Sequence, residues 1–155
     1  MSRKTLQALA ACFTTTATFL AAYPVLAADL SIEEPGWRNA PAPIAQLIAR
    51  IDANQDMPEC RPYQVRALEG APNIRLVTTQ VACWGNAAAP LWFVVAGPRP
   101  RILFTGYGYG IRTEPGRHEM PVITTTSATA AFCSEETWRY VRGRYRMVRT
   151  VNCLQ

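Results

Sequence analysis

The residues best suited to chemistry are a crowded set of arginines near the C-terminal end: Arg139, Arg142, Arg144, Arg146 and Arg149. Guanidinium groups bind phosphate and carboxylate through paired hydrogen bonds, so the cluster marks a candidate anion-binding surface. Catalysis finds less support. A nucleophile needs a base beside it, and the only imidazole is His118, in the turn-like stretch Pro115-Gly116-Arg117-His118-Glu119. Adjacent residues of an extended chain point to opposite faces, so Glu119 is badly placed to orient that ring, and His118 reads as a solvated turn residue. No Gly-x-Ser-x-Gly sequence occurs. Glu135 and Glu136 fail as a facing carboxylate pair for the same geometric reason, although carboxylates distant in sequence could still meet in the fold. Four scattered cysteines without Cys-x-x-Cys spacing, beside one histidine, do not make a usual zinc set. The sequence assigns no catalytic residue, metal or cofactor.

A second candidate is Phe104-Thr105-Gly106-Tyr107-Gly108-Tyr109-Gly110. Its alternating glycines invite a nucleotide-binding reading, but the stretch opens no helix and lies in no βαβ unit. Alternation would place Tyr107 and Tyr109 on one face with no side chain between them, where they could stack on a sugar or a partner. The alternative is that the glycines mark a bend where backbones approach and the tyrosines pack inward.

Export governs how the cysteines are read. Arg3 and Lys4 precede an uncharged stretch, Leu6 to Ala22, and Val25-Leu26-Ala27 supplies the small residues of a cleavage site, so residues 1–28 read as a signal peptide. Leu9-Ala10-Ala11-Cys12 also resembles the lipobox of bacterial lipoproteins. The apolar core before Cys12 is short for that role, however, and the apolar run continues well past it. The stretch also falls short of a spanning helix and holds four threonines. Cleavage discards Cys12 and leaves Cys60, Cys83, Cys133 and Cys153, an even set that implies two disulfides in an oxidising compartment. Of the sixteen basic residues the leader takes two, lowering the net charge from +5 to +3 and leaving only arginines as basic residues. A charge of that size favours anionic surfaces mildly.

Residues 29–155 suffice for one domain. Residues 29–41 read as an irregular lead-in. Ile44, Leu47, Ile48 and Ile51 then repeat at helical spacing behind Pro43, predicting one amphipathic helix over 42–53. Beyond Cys60 the period changes to that of short strands between Gly, Pro and Asn turns, at about 62–69, 74–82, 91–96, 101–105, 109–113, 121–127, 132–141 and 144–151. The expected fold is mainly β: an antiparallel meander of seven or eight strands over 60–153, a sandwich or partly closed barrel, with the helix laid on it. Leu91-Trp92-Phe93-Val94-Val95-Ala96 is unbroken apolar sequence, as in a strand covered on both faces, and the helix could supply one cover.

Hairpin register bears on the sulfur pairing. A turn at 70–73 sets Glu69 against Ile74 and Cys60 directly opposite Cys83. A turn at Arg142-Gly143 sets Trp138 and Tyr140 against Met147 and Tyr145, and Arg139 against Arg146 on the other face. Cys133 and Cys153 then miss by one residue, which a three-residue turn, or a β-bulge near Ser134-Glu135-Glu136, would absorb. The expected bonds are Cys60–Cys83 and Cys133–Cys153. Facing arginines repel unless an anion or carboxylate lies between them, and Glu135 and Glu136 are near enough in sequence to neutralise part of the patch.

Trp138-Arg139-Tyr140-Val141-Arg142-Gly143-Arg144-Tyr145 resembles a closing hairpin, W-x-[FY]-x-x-G-x-Y, that recurs in small exported bacterial proteins of unassigned role. The resemblance implies β structure. Periplasmic lysozyme inhibitors are similar in size, export and β content, but their loop sequences are missing and a basic inhibitor would repel a basic lysozyme. The expectation is a non-enzymatic, periplasmic or secreted binding module that uses Arg139, Arg142, Arg144, Arg146, Tyr107 and Tyr109 against a protein or an anionic envelope component. A hydrolase inhibitor, or a small hydrolase with a site built from separate loops, is the alternative. The leader directs the chain away from nucleic acid, and no membrane span is expected after processing.

Overall fold

The computed structural model of the protein describes residues 28–54, 56–69, 71–116 and 120–153; the leader to residue 27, Cys12 and His118 lie outside the described residues. Two antiparallel five-stranded sheets carry the fold and neither closes into a barrel. The first sheet has the order β2-β3-β4-β5-β6, from β2 (Arg38–Asn39), β3 (Gln64–Leu68), β4 (Ala71–Thr78), β5 (Ala89–Val95) and β6 (Arg101–Gly108). The second has the order β1-β7-β8-β9-β10, from β1 (Ala28–Ser31), β7 (Gly110–Glu114), β8 (Val122–Thr129), β9 (Phe132–Val141) and β10 (Arg144–Asn152). The lead-in is thus less irregular than expected. Its two ends are short strands, β1 on the β7 edge and β2 on the β3 edge, too brief and polar to show an alternating pattern in sequence.

β5 explains the layering. Its Leu91 and Phe93 enter the core between the sheets with Leu76, Phe104, Ile111 and Ile123, whereas Trp92 and Val94 face the opposite way. There they meet Ile44 and Ile48 of the helix α1 (Ala42–Ala49), together with Tyr63 and Val77. An apolar strand with no alternation is therefore buried on both sides, between helix and second sheet. α1 stops at Ala49, four residues before the expected end, and Ile51 is exposed. The chain turns there because Asp52, buried beneath the helix end, accepts the Tyr63 hydroxyl at 2.9 Å and the Asn54 amide at 3.0 Å. A buried carboxylate requires such partners, and meeting them outweighs another helical turn.

Both disulfides form as Cys60–Cys83 and Cys133–Cys153, each by a route that differs from the expected register. The first hairpin turns between Leu68 and Ala71, and Gln64 faces Thr78, one residue away from the expected pairing. Pro72 has no amide hydrogen, so the ladder breaks beside it and resumes at Arg75. Cys60 and Cys83 consequently leave the ladder and meet from two single-turn 3₁₀ helices, Pro58–Cys60 and Val81–Cys83, tied by a Gln80 amide to Cys60 carbonyl bond of 3.1 Å. In the last hairpin the extra residue lies at Val148, between the pairs Met147↔Trp138 and Arg149↔Thr137, and not at 134–136. Residues 134–136 pair with strands on both sides, so a bulge there would disrupt two ladders; on the edge strand β10 it disrupts one.

The glycines of 106–110 serve packing and crossing. A Cβ on Gly106 would fall 2.3 Å from the Phe104 ring, and one on Gly108 would lie 3.2 Å from Thr125 as the chain passes from β6 to β7. Gly106→Ala is expected to lower stability by about 1–3 kcal/mol through this overpacking, read as a fall in the urea midpoint at unchanged slope.

Candidate functional site

Alternation along β9 and β10 sorts the last hairpin into two faces. Trp138, Tyr140 and Tyr145 point into the core, where Phe104 meets Trp138 at 4.9 Å and Tyr145 at 6.1 Å between ring centroids. Tyr145 is buried, donates its hydroxyl to the Pro121 carbonyl at 2.8 Å and lies edge-on to Tyr140 at 5.5 Å. Arg139, Arg144, Arg146 and Arg149 are exposed on the outer face, with Arg139 directly opposite Arg146 as the register predicts. The aromatic underside fixes the strands, and the strands set the spacing of the charges.

These arginines are not neutralised from within the described chain. Arg112 of β7 takes the nearby carboxylates, at 3.4 Å to Glu114 and 4.0 Å to Glu135. Glu136, opposite Thr125 and Thr150, falls on the other face. Among the described residues no carboxylate lies within ion-pair distance of Arg139, Arg142, Arg144, Arg146 or Arg149. The neutralisation expected from Glu135 and Glu136 is therefore not made, because one is engaged and the other turned away.

Arg142 forms the turn with φ of 49°, and Gly143 follows at 88°. A hairpin turn with two positive φ values favours Asn-Gly, so an arginine here carries a conformational cost. Beside the tip, a depression of about 940 Å³ is lined by Arg139 and Arg142 with Met120, Val122, Tyr140 and Val141. The arrangement sets the cationic donors Arg139 and Arg142 beside apolar side chains, a combination suited to holding an anion.

The two tyrosines have different surroundings, and Tyr109 lies far from the arginine turn. Tyr107 is 60% exposed on β6. Tyr109 lies at the crossing between sheets, where it packs edge-on against Trp84 at 6.0 Å and donates its hydroxyl to the Gly85 carbonyl. Between the two tyrosines the chain passes from one sheet to the other, β6 ending at Gly108 and β7 beginning at Gly110, so the glycines mark a crossing. Tyr109 is tied to β8 through its amide to Thr126, which pairs with Glu135. The arginine turn lies seven residues further along β9, on the order of 20 Å away.

A cleft of about 650 Å³ on the open side between the sheets was not legible in sequence. Asp29, Glu34 and Glu69 line it together with Arg38, Arg66 and Arg75, and Arg66 is paired to Glu34 at 3.5 Å. Its charges are balanced in sign and scattered over residues 29–75, so no local motif announces it. Among the described residues no group of three His, Cys, Asp or Glu side chains is placed to hold a metal ion, and no helix is long and apolar enough to cross a membrane. No protein-family model, curated protein or solved structure matches the chain.

Burial pushes the Tyr145 phenol well above its ordinary value, and the neighbouring Tyr140 adds to the shift. Burial also raises Tyr63, helped by its hydrogen bond to Asp52. A group whose pKa is raised in the folded state lends stability that is complete below its unfolded pKa, about 10, and is lost as pH climbs beyond it. Stability should therefore fall above pH ~10. Tyr145→Phe should cost about 1–2 kcal/mol at neutral pH and flatten that alkaline fall, as measured by urea unfolding across pH. Arg142→Asn should raise stability by about 0.5–1 kcal/mol, since asparagine accepts the turn geometry more readily; a lower urea midpoint would contradict the strain.

Proposed function

We propose that this chain is an exported binding module, periplasmic or secreted, that holds an anionic component of the cell envelope on the outer face of its last hairpin. The observation that carries the reading is the facing pair Arg139 and Arg146, exposed and without a described carboxylate partner, within a set of five arginines. Like charges opposed across strands destabilise a sheet, and a bidentate phosphate or carboxylate between them would reverse that sign. Arg142 in its costly turn conformation adds weight, because an unselected surface would carry asparagine or glycine there at lower energy. Export is supported by the leader pattern of residues 1–28, by two disulfides, which persist in oxidising compartments, and by the hairpin's likeness to small exported bacterial proteins. The role is one of binding and not catalysis.

The reading separates stability from binding at a single position. Arg146→Glu would place a carboxylate opposite Arg139 and should raise stability by about 0.2–1 kcal/mol while weakening retention on anionic envelope fractions. Arg144→Glu combined with Arg146→Glu should abolish retention without unfolding, and raised salt should do the same to the unaltered protein. Unchanged retention of the double variant, with circular dichroism showing it folded, would discard the proposal.

A further inference from the structure

The arginine face is not purely polar, and that narrows its ligand. Val141 pairs with Arg144 and shares the outer face with Arg139 and Arg146, yet it is 40% exposed. At the free edge of β10 the bulge residue Val148 is also half exposed, at 50%, whereas Met147 pairs with Trp138 on the opposite face. The depression beside the tip mixes the two kinds of group as well, with Val122, Met120 and Pro115 lining it together with Arg139 and Arg142. No carboxylate appears among its described lining residues.

A hydrated polyanion gains little from apolar side chains between its cationic contacts. A bilayer surface gains from both, because each arginine near anionic headgroups and each methyl group entering the acyl boundary favours binding independently. We infer that the ligand of this face is an anionic phospholipid bilayer, with the hairpin tip pressed onto the membrane surface. Arg139, Arg142, Arg144 and Arg146 reach headgroup phosphates, and Val141 enters the region just beneath them. The depression takes the glycerol and upper acyl part of one lipid between Val122 and Val141. The contact is peripheral: the exposed apolar side chains are few, and binding depends on charge as much as on insertion. A second copy of the chain is a poor occupant, since it would bring arginines against arginines. This inference rests on the anion-binding role proposed for the same face and adds the identity of the surface.

The test uses the processed, disulfide-bonded protein in flotation with vesicles of phosphatidylcholine alone and of phosphatidylcholine mixed with phosphatidylglycerol. Retention on immobilised polyglutamate, an anion without acyl chains, is measured in parallel. The unaltered protein should float only with phosphatidylglycerol vesicles. Val141→Ala, an exposed change that leaves the fold intact, should lower vesicle partitioning about tenfold and leave polyglutamate retention unchanged. Arg139→Ala and Arg144→Ala should each lower vesicle partitioning about fivefold and weaken polyglutamate retention as well. Vesicle binding indifferent to Val141→Ala, or retention on polyglutamate with no vesicle binding, would overturn the lipid surface while sparing the anion-binding role. Arginine variants that alter neither measurement would remove both.

Discussion

Phe104 is the contact on which the rest of the structure depends. Its ring lies edge-on to Phe93 of its own sheet at 5.2 Å, and to Trp138 and Tyr145 of the other sheet at 4.9 and 6.1 Å. Aromatic pairs in this geometry contribute about 0.5–1.5 kcal/mol each beyond the area they bury. One side chain thus joins both layers, and it fits only because Gly106 presents no Cβ to the ring. Two five-stranded sheets with otherwise short connections acquire a fixed separation at this point.

The consequence reaches the surface through β9 and β10. β10 is an edge strand, hydrogen-bonded on one side only, and such strands fray or recruit other chains unless held. Tyr145 holds it from beneath by burial and by its bond to the Pro121 carbonyl, and Cys133–Cys153 holds its far end. Between these two anchors the bulge at Val148 takes up the residue by which the cysteines would otherwise miss. The arginines of the outer face are therefore displayed on a strand that cannot slide. Arginine and a bulge on an edge also deter aggregation, so the side chains that charge this face protect the edge as well.

Much of this arrangement was readable from local pattern. The helix declared itself through Ile44 and Ile48, the doubly covered strand through Leu91 to Val95, and the final hairpin through aromatic and arginine residues alternating about Arg142-Gly143. The pairings of Arg139 with Arg146 and of Tyr140 with Tyr145 follow from that turn alone, because a two-residue hairpin loop fixes every later partner. Where the pattern misled, a competing interaction prevailed. Asp52 ended the helix early, and Pro72 moved the first hairpin by one residue.

The sequence by itself determined the main extended runs beyond Cys60, the apolar face of the last hairpin and which cysteines bond, since these follow from side-chain type and from spacing along one chain. Tertiary structure decided the rest. Glu135 is drawn to Arg112, twenty-three positions away in the chain, so the hairpin arginines stand without it. Acids and arginines scattered over residues 29–75 gather round the open side of the sandwich. Val141 stands on the same exposed face as the arginines because β9 is covered on its inner side only. Whether a charge is neutralised or an apolar group is covered depends on neighbours brought in from other strands, and their distances are fixed only when the two layers pack.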